Sequence, residues 1–271
     1  MQRRLGLDSF ARQLHAGQLE LSSCEPRGSR FRVAYHSQHD GVVPVQALTS
    51  VEWHDAPPST PREVSAVAVR RFGAQQNTFE LEHFLSYVSQ WQPTCVLEIG
   101  TSRGGLLFAL AQFAHAEALI LTVDLPWPDR YRRIATLHDE MICSMATRHQ
   151  QACAMRGRST SAAIKAQVAT VLGDRPVDLL FIDGDHSYEG VKGDLETFLP
   201  FVSDRGHICL HDILVTKERY PLARTLDGLP PDAGRFWSEI KGPHSLEIVD
   251  GSAPAGAEGR AVAWGIGVLS V

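Results

Sequence analysis

Hydrophobic positions follow a regular pattern from about residue 76 onward, where short apolar runs alternate with segments whose apolar residues recur at helical spacing. The short runs lack alternating polar positions, which is typical of parallel strands buried on both faces. The predicted strands are 94–100, 118–123, 152–155, 178–182 and 207–210. The predicted helices are 79–90 (with Thr78 as N-cap), 106–113, 131–148, 161–172 and 188–201. This alternation predicts an α/β fold, a doubly wound and mostly parallel sheet with helices on both faces.

The tail of the chain shows a different pattern. Two strand-like runs, 245–249 and 261–269, are joined by a loop that begins at Asp250. The chain between them is too short for a crossover helix, so they predict an antiparallel hairpin at the edge of the sheet.

The first 75 residues carry polar and Pro-rich stretches. They give weak signals for a helix over 7–19 and for strands near 31–35 and 42–45. Such a segment cannot form a sizeable core alone. We therefore predict an appendage over 1–75, which covers the cleft, contacts substrate or mediates oligomer contacts, and a main domain over 76–271.

Composition excludes some classes of protein and sets a default compartment. The chain has 271 residues and a formal charge of −5, which gives no reason to expect nucleic acid or an anionic membrane as partner. No apolar run approaches the roughly 20 residues of a membrane-spanning helix, and no signal peptide is recognisable. The five cysteines are scattered. We therefore expect a reduced, cytoplasmic protein.

Ionisable residues directly follow one of the predicted strands. The run 178–182 ends in Asp183, Asp185 and His186. In an open α/β sheet the cleft lies just beyond the carboxyl ends of the strands. Carboxylates and a histidine there can hold a cation or take a proton from a substrate hydroxyl. The alternative is a solvated turn in which Asp183 or Asp185 caps the following helix.

A glycine-containing turn connects the first strand of the main domain to its helix. The sequence from Glu98 to Gly105 has glycines at 100, 104 and 105, which permit a tight turn and a close approach of backbone to a ligand. Asp124 ends the next strand, where a carboxylate can bind ribose hydroxyls. The spacing matches neither a dinucleotide fingerprint nor a P-loop. A generic turn, with Asp124 as a helix cap, is the alternative.

These motifs resemble those of the class I S-adenosylmethionine-dependent methyltransferases. The segment 98–105 resembles that family's first motif, and 181–188 and 208–213 resemble motifs of the branch of cephalosporin hydroxylase-type and macrolide-sugar O-methyltransferases. The tail segments 235–241 and 265–268 also fit that branch, whereas residues 1–75 have no match. The resemblance implies a Rossmann-like sheet of about seven strands, the last antiparallel.

The resemblance also implies roles for individual residues. Glu98 would bind the amino group of S-adenosylmethionine, and Gly100 and Thr101 would lie along its methionine part. Asp124 would bind its ribose, and Ser159 or Thr160, after the third strand, would lie near its adenine. The implied cofactor-binding set is Glu98, Gly100, Thr101, Gly104, Asp124, Ser159 and Thr160. A divalent metal would be held by Asp183, His211 and Asp212. His211 departs from the family's usual acid, and a core histidine is the alternative.

The implied reaction is methyl transfer to the hydroxyl of a small molecule, such as a sugar or a secondary metabolite in a bacterium. Asp183 and a bound Mg²⁺ or Mn²⁺ would lower the pKa of the hydroxyl, and His186 would take its proton. Two alternatives are an NAD-type oxidoreductase of similar fold and a non-catalytic binding protein. We also expect a homo-oligomer.

Overall fold

The computed structural model describes residues 19–27, 30–37, 41–46, 58–126, 149–252 and 263–271. The predicted helix over 131–148 and nearly all of the one over 7–19 lie outside these described residues. The two strands predicted near 31–35 and 42–45 belong to a small antiparallel sheet of three strands in the order β1-β2-β3. These are β1 (Leu19–Arg27), β2 (Arg30–Ser37) and β3 (Gly41–Gln46).

The main sheet has seven strands in the order β6-β5-β4-β7-β8-β10-β9. They are β4 (Cys95–Ile99), β5 (Leu119–Asp124), β6 (Gln151–Arg156), β7 (Val177–Ile182), β8 (Val202–His211), β9 (Leu246–Ile248) and β10 (Ile266–Ser270). Strands β4 to β8 pair in parallel, and β10 pairs antiparallel with both β8 and β9. The predicted α/β class, the seven strands and the antiparallel hairpin are confirmed, with β9 as the edge strand.

The order of the strands reverses at one point of this sheet. Strands β5 and β6 lie on one side of β4, whereas β7 and β8 lie on its other side. The connections that leave β4 and β7 therefore diverge, and a crevice opens beyond the carboxyl ends of these two strands. This crevice contains the site described below.

Six α-helices are present in the described part of the chain. They are α1 (Pro61–Arg71), α2 (Thr78–Val88), α3 (Gly105–Phe113), α4 (Ala162–Leu172), α5 (Tyr188–Phe198) and α6 (Ala233–Ile240). The predicted cap of α2 is wrong, because Asn77 and not Thr78 is the N-cap, and the Asn77 side chain accepts hydrogen bonds from the N–H groups of Phe79 and Glu80. None of these helices is long and apolar enough to cross a membrane.

Helix α1 was not predicted, and it packs in the main core. Its buried residues Val64 and Ala68 belong to the same hydrophobic cluster as Leu81 of α2 and Phe108 of α3. Phe72, just after α1, stacks on Phe108 with ring centroids 4.2 Å apart. Residues 61–72 therefore pack with the main sheet, although the sequence pattern grouped them with the appendage. A division of the chain near residue 75 stays a prediction.

Candidate active site

A cavity of about 410 Å³ lies at the carboxyl ends of β4 to β7. This volume is within the usual range of small-molecule sites. The first turn of the main domain, the ends of β5 and β6 and the loop after β7 line it. Of the predicted site residues, the lining includes Glu98, Gly100, Thr101, Asp124, Ser159, Asp183 and His186.

Gly100 allows β4 and β7 to approach closely at the floor of the cavity. Its φ of +94° lies in the region that L-residues avoid, and a Cβ atom there would lie 2.2 Å from the carbonyl oxygen of Asp183. The N–H of Asp183 in turn donates to the carbonyl of Ile99 at 2.8 Å. Only glycine fits this turn, and the first site motif therefore has a structural function.

Glu98 is a buried carboxyl group with one oxygen still free to accept. The Thr122 hydroxyl donates to Glu98 Oε2 at 2.7 Å and is itself hydrogen-bonded to the Thr101 hydroxyl. Glu98 Oε1 is buried and has no hydrogen-bond partner among the described residues. Burial raises the pKa of Glu98 to about 8. An unpaired buried acceptor beside a cavity is suited to a ligand that brings hydrogen-bond donors.

Asp124 shapes the turn as well as facing the cavity. Its Oδ2 accepts the N–H of Ser102 at 2.8 Å, and its Oδ1 accepts the N–H of Leu125 at 2.7 Å. Arg156 Nη1 lies 3.4 Å from Oδ2. Since each carboxylate oxygen can accept more than one hydrogen bond, Asp124 retains capacity for ribose hydroxyls.

The structure separates the two residues predicted beside adenine. Ser159 lines the cavity, and its hydroxyl donates to Asp194 Oδ1 of α5 at 2.5 Å. Asp194 is buried, and burial, together with the charge of Asp185, raises its pKa to about 6. Thr160 is exposed and does not line the cavity. Ser159 is therefore the better candidate for the adenine side.

A compact cluster of two aspartates and two histidines lies beyond the ends of β7 and β8. His186 Nδ1 is 2.8 Å from Asp212 Oδ2 and 3.9 Å from Asp183 Oδ1. His211 Nδ1 is 3.0 Å from Asp183 Oδ1 and 3.0 Å from Asp212 Oδ1. Asp212 adopts a φ of +62°, an uncommon conformation for a residue with a side chain. Such strain is typical of residues held in place for a function.

Charge within this cluster is strongly coupled. Burial opposes the protonated forms of both histidines, but the two carboxylates outweigh it and raise the pKa of His186 to about 9 and that of His211 well above its usual value. Burial likewise opposes the Asp212 carboxylate, but the two histidines lower the pKa of that carboxyl well below its usual range. In the absence of another cation, the histidine protons balance the carboxylate charges.

Three of these residues form a group with the geometry of a metal site. One ligand atom each from Asp183, His186 and Asp212 lie within 4.8 Å of one another. His211 was expected as the third ligand, but its Nδ1 contacts both carboxylates, and its Nε2 is buried without a hydrogen-bond partner among the described residues. The nitrogen of His186 therefore lies within reach of a cation between the two carboxylates, and His211 Nδ1 contacts both of them.

Neighbouring residues that the sequence reading missed complete the site. Gln76, between α1 and α2, donates from Nε2 to Asp183 Oδ2 at 2.7 Å. Ser187 is the N-cap of α5, and its N–H donates to Asp185 Oδ1 at 2.9 Å, so Asp185 stabilises the turn before the helix. Thr122 had a visible signal, a hydroxyl inside an apolar strand, whereas Gln76 had no recognisable motif around it.

A loop segment before α6 also contributes to the walls of the cavity. Thr225, Leu226 and Asp227 line it. Arg158, in the loop after β6, donates from Nη1 and Nη2 to the two carboxylate oxygens of Asp227 at 2.7 and 3.2 Å. This ion pair fastens the segment 225–227 to the opposite wall.

The sequence model of a family described as "Methyltransferase domain" matches residues 97–213. Residues 97–213 are therefore similar to a methyltransferase domain. The matched residues run from β4 to just past the end of β8, and they include Asp124, Asp183 and Asp212. The expectation of a class I S-adenosylmethionine-dependent methyltransferase is confirmed, and the alternative of an NAD-type oxidoreductase is not favoured.

Several similar solved structures are methyltransferases by their descriptions. TomG from Streptomyces achromogenes, involved in tomaymycin synthesis and in complex with SAM, is 16% identical over 78% of this chain and 89% of its own, with a TM-score of 0.49. An O-methyltransferase from Bacillus cereus in complex with SAH is 17% identical over 80% and 93%, with a TM-score of 0.49. MycE of the mycinamycin pathway, in complex with Mg, SAH and mycinamycin VI, is 14% identical over 78% and 71%, with a TM-score of 0.43.

These identities are too low to assign a substrate or a metal to the methyltransferase domain described here. A comparison with curated proteins gives no significant match.

Proposed function

We propose that this methyltransferase transfers a methyl group to a hydroxyl of a small molecule, a sugar or a secondary metabolite, with help from a divalent cation. The observation that carries the proposal is the group of Asp183, His186 and Asp212 beside the cavity, with ligand atoms within 4.8 Å. A catalyst of transfer to nitrogen or sulfur has less need of such a group, because an alcohol is a weak nucleophile at neutral pH whereas amines and thiols are stronger.

The cavity fits the cofactor in both size and chemistry. S-adenosylmethionine would supply a methyl group bound to a positively charged sulfur; the acceptor oxygen would bond to the methyl carbon as the carbon–sulfur bond breaks, and S-adenosylhomocysteine would leave. Glu98 would accept a hydrogen bond from its amino group through the unpaired Oε1. Gly100 would allow the backbone to approach the methionine part, Asp124 would bind the ribose, and Ser159 would lie near the adenine.

The charged cluster would prepare the acceptor. Asp183 and Asp212 would hold the cation through carboxylate oxygens, which suit Mg²⁺ or Mn²⁺. A divalent cation there lowers the pKa of a bound hydroxyl and fixes its direction. A cation on Asp183 and Asp212 would neutralise the charges that raise the pKa of His186, and the neutral imidazole, whose side chain is 39% exposed, would then receive the proton of the hydroxyl. Its Nδ1 lies against Asp212, which leaves Nε2 for the acceptor.

Binding measurements test the cofactor directly. Isothermal titration of the wild-type protein with S-adenosylhomocysteine and with NAD⁺ should give saturable binding of the first ligand alone. Binding of NAD⁺ without binding of S-adenosylhomocysteine would reject the methyltransferase function and restore the oxidoreductase alternative.

The role of His186 needs a separate test, because the same imidazole fits a general base and a metal ligand. For a base, His186→Ala should lower kcat by about 10²- to 10⁴-fold while Mn²⁺ affinity stays within about threefold of the wild type. For a ligand, Mn²⁺ affinity, measured by calorimetry or electron paramagnetic resonance, should fall by about tenfold or more. Methyl transfer that persists unchanged after chelation would remove the cation from the proposal.

A further inference from the structure

The side chain of Gln76 lies between the cavity and the charged cluster. Gln76 is only 5% exposed, it lines the cavity, and its Nε2 donates to Asp183 Oδ2 at 2.7 Å. It lies outside the matched residues 97–213, in the connection between α1 and α2. A buried amide in such a connection calls for a reason beyond packing, because burying its polar atoms carries a cost.

The chemistry of the contact fixes which way the amide points. A carboxylate of Asp183 that is ionised only accepts hydrogen bonds, so the NH₂ group of Gln76 must face it and the carbonyl oxygen must face away. That oxygen, Oε1, is buried and has no hydrogen-bond partner among the described residues. Gln76 therefore presents an unused acceptor.

A second unused acceptor lines the same cavity. Glu98 Oε1 is also buried without a partner among the described residues. Leaving a buried acceptor unpaired destabilises the protein, and two such atoms in one cavity favour a ligand that donates several hydrogen bonds. An ammonium group meets this need, since it carries three N–H donors and a positive charge.

We infer that Gln76 is a cofactor-binding residue, which accepts a hydrogen bond from the amino group of S-adenosylmethionine through Oε1 while it holds Asp183 through Nε2. This inference rests on the proposed function and adds to it a direct link between the two halves of the site. One amide then couples the position of the cofactor's amino acid part to the direction of the Asp183 carboxylate.

The test compares two ligands, one with and one without the amino acid part that carries the amino group. S-adenosylhomocysteine carries it, whereas methylthioadenosine lacks the whole amino acid part. In calorimetric titrations, Gln76→Leu should weaken S-adenosylhomocysteine binding by about tenfold or more and leave methylthioadenosine binding within about twofold. A side chain that only supports the cavity would not distinguish the two ligands.

Two further variants sharpen the result. Gln90→Leu is the matched control, because Gln90 is an exposed glutamine at the end of α2 whose amide contacts only the carbonyl of Ser86 among the described residues. It should change neither affinity. Gln76→Glu keeps an acceptor and should retain S-adenosylhomocysteine binding within about threefold. Gln76→Ala replaces the leucine variant in the comparison if the leucine variant does not fold.

Each remaining outcome counts against the inference. Equal weakening of both ligands by Gln76→Leu, or weakening of neither, would remove Gln76 from the cofactor site while the proposed function stands. A wild-type protein that binds neither ligand would overturn the proposed function, and this inference with it.

Discussion

Strand β7 has an aspartate near each end, and the two aspartates differ in the groups that they contact. Asp178, at the start of the strand, accepts hydrogen bonds through Oδ2 from the N–H and the hydroxyl of Thr94 at 2.8 and 2.7 Å and from the N–H of Cys95 at 3.1 Å. Asp183, just past the end, contacts the side chains of Gln76 and His211. Asp178 therefore fixes the start of the neighbouring strand, whereas the Asp183 carboxylate is itself positioned by other side chains.

The difference shows how one sheet separates stability from function. At the amino end, one carboxylate oxygen of Asp178 accepts three hydrogen bonds from Thr94 and Cys95 and so fixes the start of β4. At the carboxyl end, the surrounding side chains are arranged around Asp183, and polar atoms with unused capacity face a cavity. Residues with positive φ are also found at this end, at Gly100, where glycine permits it, and at Asp212, where the side chain makes it uncommon.

The largest expected effect separates the two aspartates by activity. Asp183→Asn preserves the shape of the side chain but removes the charge that the proposed cation requires. We expect kcat to fall by about 10³-fold with little change in Tm. The matched variant Asp178→Asn should keep kcat within about twofold of the wild type. Equal losses of activity in the two variants would contradict the different functions of the two aspartates.

The next largest expected effect concerns the contribution of Asp178 to stability. Asp178→Ala leaves the buried N–H of Cys95 without its acceptor and frees the start of β4. We expect the free energy of unfolding, measured with urea, to fall by about 2 kcal/mol, while the specific activity of the folded protein persists. An unchanged midpoint of unfolding would contradict a structural role for the amino end.

A smaller effect concerns the pH dependence of stability. Burial raises the pKa of Glu98 from 4.5 to about 8, so between these values the folded state holds a proton that the unfolded state has released. This contribution to stability is fully present below pH 4.5 and is lost as the pH rises towards 8. The difference in Tm, Glu98→Gln minus wild type, should therefore increase as the pH rises from 4.5 to about 8. Parallel Tm curves for the two proteins would show that Glu98 is not shifted.

The different surroundings of the two ends of the sheet could largely be predicted from the sequence, because they depend on where the apolar runs of the strands end. The runs 178–182 and 207–210 end at acidic residues, and adjacent parallel strands bring those ends together. That reasoning located Asp183 and Asp212 and indicated the turn at Gly100. It assigned His211 to the metal and His186 to the base from their positions alone, although the direction of an imidazole depends on side-chain packing and not on spacing along the chain.

Helix α1 was missed although its start had a readable signal. The Pro-rich stretch before it drew attention to a loop, but Thr60, Pro61 and Glu63 stand in the pattern of a capping box with proline in the first turn. The Thr60 hydroxyl accepts the N–H of Glu63, and the Glu63 carboxylate accepts the N–H of Thr60. Gln76 had no comparable signal, because its importance arises only from the distant residue that it contacts.

The ion pair between Arg158 and Asp227 has a consequence for the exchange of bound molecules. Both side chains are well exposed, at 58% and 43%, so dissolved ions screen their attraction. The bridge joins two segments that line the cavity, and its loosening would let them separate. Added electrolyte should therefore shorten the residence time of a bound nucleoside, even where it leaves the fold intact.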